Sequence, residues 1–271
     1  MSALDAPAQA AGLQHGPLVS VHGVRKAFGR GASATFALDR VSLDVAPGEF
    51  VALLGASGCG KSTLLSLIAG LDAPTAGTVT VNGGAALMPQ EGGLFPWLTA
   101  GRNIELALRL RGVPRAERRP EAERLLSLVR LDGAYAKRPH ELSGGMRQRV
   151  ALARALAQQR PVLLMDEPFS ALDAITRDAL HAELVRVWQE TGVAVVFVTH
   201  NVREAVRLGQ RVVLLSSRPG RVLREWRVDL PQPRRIEDES VSRLAGEITE
   251  HLSAEIRRHA GDEAEEAIDV R

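Results

Sequence analysis

The sequence predicts an α/β fold, and three stretches carry that prediction. Residues 50–54 form an apolar run of strand length, and a glycine-rich loop joins them to residues 64–69, which have helical character. Residues 162–165 form another apolar strand, which ends in two carboxylates. Between these strands, residues 98–159 show helical spacing of hydrophobic residues. Apolar strands alternating with helices are typical of an α/β core, here with a helical insertion.

The composition is that of a globular protein with balanced charge. The chain of 271 residues is 45% hydrophobic and 24% charged, and 34 basic against 32 acidic residues leave a net charge of +2. This length is enough for a full α/β core, as one domain or as one domain with an inserted subdomain. No dense basic block carries interleaved aromatic residues, so the sequence does not indicate a nucleic-acid partner.

The cysteine content and the length of the apolar runs indicate in which cellular compartment the protein lies. Cys59 is the only cysteine, so no internal disulfide can form and a reducing compartment is expected. The longest apolar runs, such as residues 193–198, are far shorter than the ~20 residues of a membrane-spanning helix. Residues 1–17 lack the pattern of a signal peptide and are expected to be disordered. We therefore expect a cytoplasmic protein that meets a membrane only through a partner.

Strand and helix patterns continue on both sides of the glycine-rich loop. Strands are predicted at residues 18–24, 37–45, 78–81, 85–88, 193–199, 212–216 and 221–228. Helices are predicted at residues 103–111, 115–129, 146–157 and 176–190. Within residues 231–271, Val241, Leu244, Ile248, Leu252 and Ile256 recur at helical spacing, and an acidic tail follows. This stripe predicts a C-terminal helix that packs on the core, with a partner-binding face as the alternative.

The glycine-rich loop fits the phosphate-binding pattern G-x-x-x-x-G-K-[ST]. Its glycines let backbone N–H groups turn toward an anion, and the helix that follows adds partial positive charge. We expect Lys61 to reach the β- and γ-phosphates of a nucleotide and Ser62 to hold Mg²⁺. The alternative, a turn that matches by chance, is disfavoured because a strand precedes the loop and a helix follows it. The phosphate loop consists of Gly55, Ala56, Ser57, Gly58, Cys59, Gly60, Lys61, Ser62 and Thr63.

Two carboxylates follow the apolar strand at residues 162–165. Asp166 would bind Mg²⁺ through water, and Glu167 would polarise the water that attacks the γ-phosphate. An acidic pair at a strand end also occurs on ordinary protein surfaces. The phosphate loop in the same chain favours the catalytic interpretation.

A second anion-binding pattern, Leu-Ser-Gly-Gly-Met, lies at residues 142–146 directly before a predicted helix. Together with the phosphate loop, it makes residues 18–230 resemble the ATP-binding cassette (ABC) family of transporter ATPases. The resemblance implies a P-loop NTPase with a RecA-like core, an antiparallel β subdomain and an α-helical subdomain inserted at residues 92–159. It also implies a homodimer, in which Ser143, Gly144 and Gly145 of one subunit close on the ATP that the other subunit holds.

Further residues match elements of the ABC family in order and spacing. Gln90 resembles the glutamine that touches Mg²⁺ and the attacking water, and Asp173 lies in a loop that resembles the dimer contact after Glu167. His200 resembles the histidine that contacts the γ-phosphate, with a structural or merely exposed histidine as the alternative. Phe28 occupies the place of the aromatic residue that stacks on adenine, with a core residue as the alternative.

Cys59 lies inside the phosphate loop, close to a helix start and to Lys61. Both features would lower the pKa of its thiol. We therefore hypothesise that alkylation of Cys59 blocks nucleotide entry and that bound ATP protects the thiol. The alternative is that Cys59 is an inert small residue.

Several segments resemble a narrower group, the importers of nitrate, sulfonates and taurine. The resemblance implies the ATPase subunit of a bacterial importer for a small oxyanion such as an aliphatic sulfonate, taurine or nitrate. The implied partners are transmembrane permease subunits and a periplasmic or lipoprotein solute-binding protein, with the ATPase peripheral on the cytoplasmic face of the membrane. The segments are residues 94–98, 176–177, 188–192 and 215–221.

The apolar residues 94–98 leave two interpretations open: they line a groove for the permease, or they pack into the helical insertion. For the whole chain, the alternative function is a non-transport ABC ATPase of the DNA-repair or translation-factor type. Those proteins carry long coiled coils or two cassettes in one chain, and neither pattern is present here.

Overall fold

The computed structural model describes residues 16–29 and 34–269, with side chains described up to residue 259. Disorder is expected for residues 1–17, and of these residues 1–15 lie outside the described residues. The strands are β1 (Val19–Phe28), β2 (Thr35–Val45), β3 (Phe50–Leu54), β4 (Ala76–Val81), β5 (Ala85–Met88), β6 (Val162–Asp166), β7 (Ala194–Thr199), β8 (Arg211–Leu215) and β9 (Val222–Arg227). The helices are α1 (Lys61–Ile68), α2 (Ala100–Leu110), α3 (Arg115–Leu128), α4 (Gly144–Leu156), α5 (Ala174–Thr191), α6 (Val202–Leu208) and α7 (Glu239–Asp269).

A six-stranded sheet of order β5-β6-β7-β3-β8-β9 forms the centre of the molecule. The first five strands in this order, β5, β6, β7, β3 and β8, pair in parallel. Strand β9 pairs antiparallel with β8 at the edge of the sheet. Strands β3 and β7 are buried along their whole length, because unbroken apolar runs suit a sheet that is covered on both faces. The neighbouring strands β6, β7 and β3 end at the same edge of the sheet, where α/β folds bind their ligands.

A second, antiparallel sheet of order β2-β1-β4 covers one side of the first. Val19 lies opposite Val45 on one flank and Val81 on the other. The inward valines and leucines of this sheet join one hydrophobic core with α1 and with residues of β3 and β6. The second sheet therefore fixes α1, and with it the phosphate loop, against the central sheet.

Helices α2, α3 and α4 form the insertion between β5 and β6, and they share a second hydrophobic core with α5. Asn103 of α2 is fully buried and ties down the preceding loop: its side chain accepts from the N–H of Phe95 and donates to the carbonyl oxygens of Phe95, Leu98 and Thr99. The α/β fold with an antiparallel β subdomain and an inserted helical subdomain is thus confirmed.

The C-terminal helix α7 packs on the core through part of its predicted stripe. Val241 and Ile248 are buried against α6 and β8, whereas Ile256 is 45% exposed. Among the described helices, none is long and apolar enough to cross a membrane.

Candidate functional site

The phosphate loop joins β3 to α1 at the carboxyl end of the central sheet. Gly60, which precedes the first helical residue Lys61, has a φ of +100°. A Cβ atom at this position would lie 2.7 Å from the carbonyl oxygen of Ala37 and 2.7 Å from a methyl carbon of Leu38. Only glycine satisfies both the left-handed backbone and the close packing, so β2 supports the loop from beneath.

Lys61 is 5% exposed, and its ammonium group turns back onto the phosphate loop. Its Nζ atom donates to the carbonyl oxygens of Gly55 (2.9 Å) and Ala56 (2.8 Å) and lies 3.8 Å from the sulfur of Cys59. These partners within the described structure are all uncharged or weak acceptors. An anionic phosphate would form a stronger, charge-assisted hydrogen bond with this ammonium.

The hypothesis that Cys59 is an activated thiol is wrong. Its side chain is 1% exposed, and burial raises the pKa of the thiol above its usual value, although Lys61 acts in the opposite direction. Desolvation disfavours a thiolate more than one nearby ammonium favours it. Cys59 is therefore a packing residue under the loop, as in the alternative interpretation.

Asp166 is the last residue of β6 and Glu167 follows it, both beside the phosphate loop. Ser62 lies beside Asp166 in the cleft and acts to lower the pKa of its carboxyl. Burial raises the pKa of Asp166, the charge of Glu167 adds to this, and Ser62 and Lys61 oppose it. An oxygen-rich group of this kind fits a hard cation, because hydroxyl and carboxylate oxygens are the ligands that Mg²⁺ takes.

Glu167 has an unusual backbone, with a φ of +41°, and its N–H donates to the carbonyl oxygen of Val198 at 3.0 Å. This bond ties the residue after β6 to β7. The carboxylate Oε2 of Glu167 lies 3.0 Å from Nδ1 of His200, the residue that follows β7. Gln90 lines the same cleft as Glu167, and its side-chain amide donates to the hydroxyl of Ser170 at 3.3 Å.

One cleft of about 390 Å³ brings most of the predicted residues together. Phe28 lines this cleft and is 50% exposed, so it is not a core residue; Nζ of Lys26 lies 5.0 Å from the centroid of its ring. His200 adjoins the cleft through Glu167, with which it lines a smaller neighbouring pocket. The nucleotide cleft is lined by Phe28, Ala37, Ser57, Gly58, Gly60, Lys61, Ser62, Thr63, Gln90, Asp166, Glu167 and Arg218.

The residues of the second anion-binding pattern are not among those that line the nucleotide cleft. Ser143 caps α4, its hydroxyl accepting from the N–H of Met146 at 3.2 Å. Asp173 caps α5 in the same way, accepting from the N–H of Thr176 at 2.9 Å. A Cβ atom on Gly145 would lie 2.6 Å from a side-chain carbon of Thr176, so the two caps are neighbours. The chain thus carries two separate groups of predicted site residues.

Two further features of the site are not predicted by any motif. Arg218 lines the nucleotide cleft from the loop after β8. Behind His200, the buried Glu204 lies 2.6 Å from Nε2 of His181 and accepts a hydrogen bond from the hydroxyl of Thr199. This network holds the end of β7 in place. Both features depend on contacts between distant segments, which local patterns do not reveal.

A phosphate loop, an adjacent pair of carboxylates and a histidine around one cleft define a nucleotide-hydrolysing enzyme of the P-loop type. The family model described as "ABC transporter" matches residues 38–170. With the relatives described next, this match shows that the chain belongs to the ABC transporter family, and it is an ATP-binding ATPase of that family.

The chain is similar to importer subunits over most of its length. It is 50% identical over 198 residues to the taurine import ATP-binding protein TauB of Mesorhizobium japonicum, covering 70% of this chain and 77% of that protein. It is 48% identical over 203 residues to the nitrate import ATP-binding protein NrtD of Synechocystis sp., covering 72% of this chain and 76% of that protein. Among solved structures, the ATP-binding cassette MJ0796, a dimer bound to ADP and Pi, is 35% identical with a TM-score of 0.69, covering 79% of this chain and 100% of that one.

Proposed function

We propose that this chain is the ATPase subunit of an importer for a small oxyanion, such as taurine, another aliphatic sulfonate or nitrate. The observation that carries the proposal is the nucleotide cleft, in which Lys61, Asp166 and Glu167 meet, in a chain related to taurine and nitrate import proteins. Residues 18–230 would form the ATPase domain, with the helical insertion at 92–159, and residues 231–271 would form a C-terminal helix and an acidic tail. The alternative of a non-transport ABC ATPase is not favoured by these relatives.

The predicted residues in and beside the cleft have distinct roles in ATP hydrolysis. The ring of Phe28 stacks on adenine, and the backbone N–H groups of residues 55–63 with Lys61 bind the phosphates. Glu167 accepts the proton of the attacking water as a general base. His200, held 3.0 Å from Glu167, orients that carboxylate and contacts the γ-phosphate.

Mg²⁺ fits the oxygen donors beside Lys61. Ser62 and Gln90 would hold it directly, and Asp166 through water. When bound, the cation neutralises charge on the transferring phosphoryl group. The described residues contain no cluster of three or more His, Cys, Asp or Glu for a metal, which agrees with an ion held mainly by water and phosphate oxygens.

Two copies of the chain complete each site. Ser143, Gly144 and Gly145 lie outside the nucleotide cleft of their own chain, and their N–H groups at the start of α4 suit a phosphate. Asp173 and the 85% exposed Ile175 lie beside this group, on the surface that a second copy would cover. In the proposed head-to-tail homodimer, ATP lies between the phosphate loop of one copy and residues 143–145 of the other.

The permease would dock beside residues 94–98. Trp97 is 68% exposed and Leu110 is 81% exposed, and a groove of about 390 Å³ lies between the central sheet and the insertion. Arg154 fixes one wall, since its guanidinium donates to the carbonyl oxygens of Gly92 (2.7 Å) and Gly93 (2.6 Å). Exposed aromatic and aliphatic side chains beside a groove suit an amphipathic helix of a membrane partner. The ATPase would then lie on the cytoplasmic face of the membrane, and the solute-binding protein would act through the permease.

The test is purification of the affinity-tagged chain from detergent-solubilised membranes of its own cells. We expect permease subunits to copurify, and we expect the purified complex in liposomes to hydrolyse ATP faster when its binding protein is loaded with taurine, a sulfonate or nitrate. A matched Trp97→Asp variant should lose the permease and retain ATP binding. Recovery of the chain with nucleic acid or ribosomes and without a membrane protein would contradict the proposal.

A further inference from the structure

The loop between β8 and β9, residues 216–221, packs directly on the phosphate loop. Gly220 pairs with β2 on both sides: its N–H donates to the carbonyl oxygen of Ala37, and its own carbonyl oxygen accepts from Asp39, each at 2.9 Å. A Cβ atom on Gly220 would lie 2.2 Å from the carbonyl oxygen of Cys59. Because no side chain separates the two loops, residues 216–221 lie in direct contact with the phosphate loop, at the edge of the nucleotide cleft.

The same loop presents Arg218 to the nucleotide cleft. Arg218 is exposed and lines the cleft together with Phe28 and Lys61. Its side chain has no hydrogen bond or ion pair with any described residue, whereas the nearby Arg221 is paired with Asp39 at 2.6 Å. An unpaired guanidinium at the entrance of a cleft that takes a polyanion is a group that can bind that anion.

The C-terminal helix holds this loop through one buried carboxylate. Glu255 of α7 is 8% exposed, and its Oε1 accepts a hydrogen bond from the backbone N–H of Ser217 at 3.1 Å. Its other oxygen accepts from Arg258 at 3.0 Å. Helix α7 is itself fixed to β9, because Glu247 accepts from the indole N–H of Trp226 at 2.8 Å. The Ser217 N–H is buried, so loss of its acceptor would leave a polar group unsatisfied and release the loop.

We propose that Glu255 is a positioning residue for nucleotide binding: by holding Ser217, it keeps Arg218 in the cleft, where the guanidinium binds the triphosphate of the nucleotide. The C-terminal helix then sets the affinity of the site for ATP without touching the nucleotide. This inference rests on the proposed nucleotide cleft around Lys61. A partner that displaces α7 would weaken ATP binding through the same contact.

The test compares three substitutions in the full-length chain, with binding of a fluorescent ATP analogue and steady-state ATPase kinetics as readouts. Glu255→Met keeps the length and the helix propensity of the side chain but removes the acceptor, whereas Glu255→Gln keeps an acceptor oxygen. Glu250→Ala, at an exposed position on the same helix, is the control. We expect Glu255→Met to weaken binding and raise KM by about fivefold to tenfold with kcat changed less than about twofold, as for a lost charge-assisted hydrogen bond. Glu255→Gln and Glu250→Ala should bind like the wild type.

Arg218→Ala gives a second measurement that does not depend on how Glu255→Met folds. We expect a similar loss of affinity, and we expect Glu255→Met to add little in the Arg218→Ala background, because both act through one contact. Wild-type affinity in Arg218→Ala, additive losses in the double variant, or an equal loss in Glu255→Gln would overturn the inference. Lys61→Ala separates the two proposals: if it abolishes binding while Arg218→Ala has no effect, the nucleotide cleft stands and only this inference fails.

Discussion

The Nδ1 atom of His200 lies 3.0 Å from the Oε2 atom of Glu167, and this pair joins the ends of two neighbouring parallel strands. Glu167 is further held by its N–H bond to Val198 in β7. His200 is 57% exposed and Glu167 is 19% exposed, so the histidine faces the opening while the carboxylate lies deeper. The arrangement fits a carboxylate that acts on water and a histidine that responds to the phosphate beside it.

Glu167→Gln should bind ATP and scarcely hydrolyse it. The amide keeps the size of the side chain but cannot accept a proton from water, and loss of a general base typically costs about 10²–10⁴ in rate. With ATP still bound, the variant should accumulate as a dimer, measured by size-exclusion chromatography with light scattering. Hydrolysis at the wild-type rate would show that Glu167 is not the base.

Lys61→Ala should weaken ATP binding by at least about tenfold, because charge-assisted hydrogen bonds to phosphate contribute about 1.5–3 kcal/mol. The substitution also removes the bonds from Nζ to Gly55 and Ala56, so circular dichroism must first show that the fold is intact. Lys137→Ala, at an exposed position in the helical insertion, is a matched control that should bind ATP normally. Titration calorimetry measures the difference, and equal affinity in both variants would rule out the phosphate role of Lys61.

Cys59 should react slowly with iodoacetamide in the native protein. Burial raises the pKa of its thiol, which leaves little thiolate near neutral pH, and the side chain is 1% exposed. Labelling followed by mass spectrometry should be much faster in urea than in buffer, and ATP should protect only by stabilising the folded state. Fast native labelling that ATP blocks would restore the hypothesis of an activated thiol.

The sequence predicts the elements around the cleft well, because their signals are local. The apolar runs of β3, β6 and β7 and the glycines of the phosphate loop depend on neighbouring residues alone, and the strands are found where their patterns indicate. The pKa of Cys59 was predicted in the wrong direction because burial beneath the loop outweighs the adjacent charge. The contact between Glu255 and Ser217 joins residues 38 positions apart, and no pattern on α7 indicates which loop it meets.

Tyr135 offers a direct test of the packing of the helical insertion. It is the only tyrosine in the chain, so the near-ultraviolet absorbance of tyrosinate reports on it alone. Burial, followed by the hydrogen bond that its hydroxyl donates to Glu105 and the charge of that carboxylate, raises the pKa of Tyr135 to about 12. The unfolded value is about 10. A pH-jump titration should therefore give a midpoint near 12 in native protein and near 10 in urea.

The raised pKa of Tyr135 also makes the contribution of this residue to the free energy of unfolding depend on pH. A phenol whose pKa is higher in the folded state retains its proton while the unfolded chain loses it, so its contribution to stability is complete below pH ~10 and falls as the pH rises toward the folded value. Tyr135→Phe removes this contribution, and the difference in unfolding free energy between wild type and variant should shrink above pH ~10. Urea unfolding at several alkaline pH values measures it, and a native titration midpoint near that of the unfolded chain would show that Tyr135 is neither buried nor bonded to Glu105.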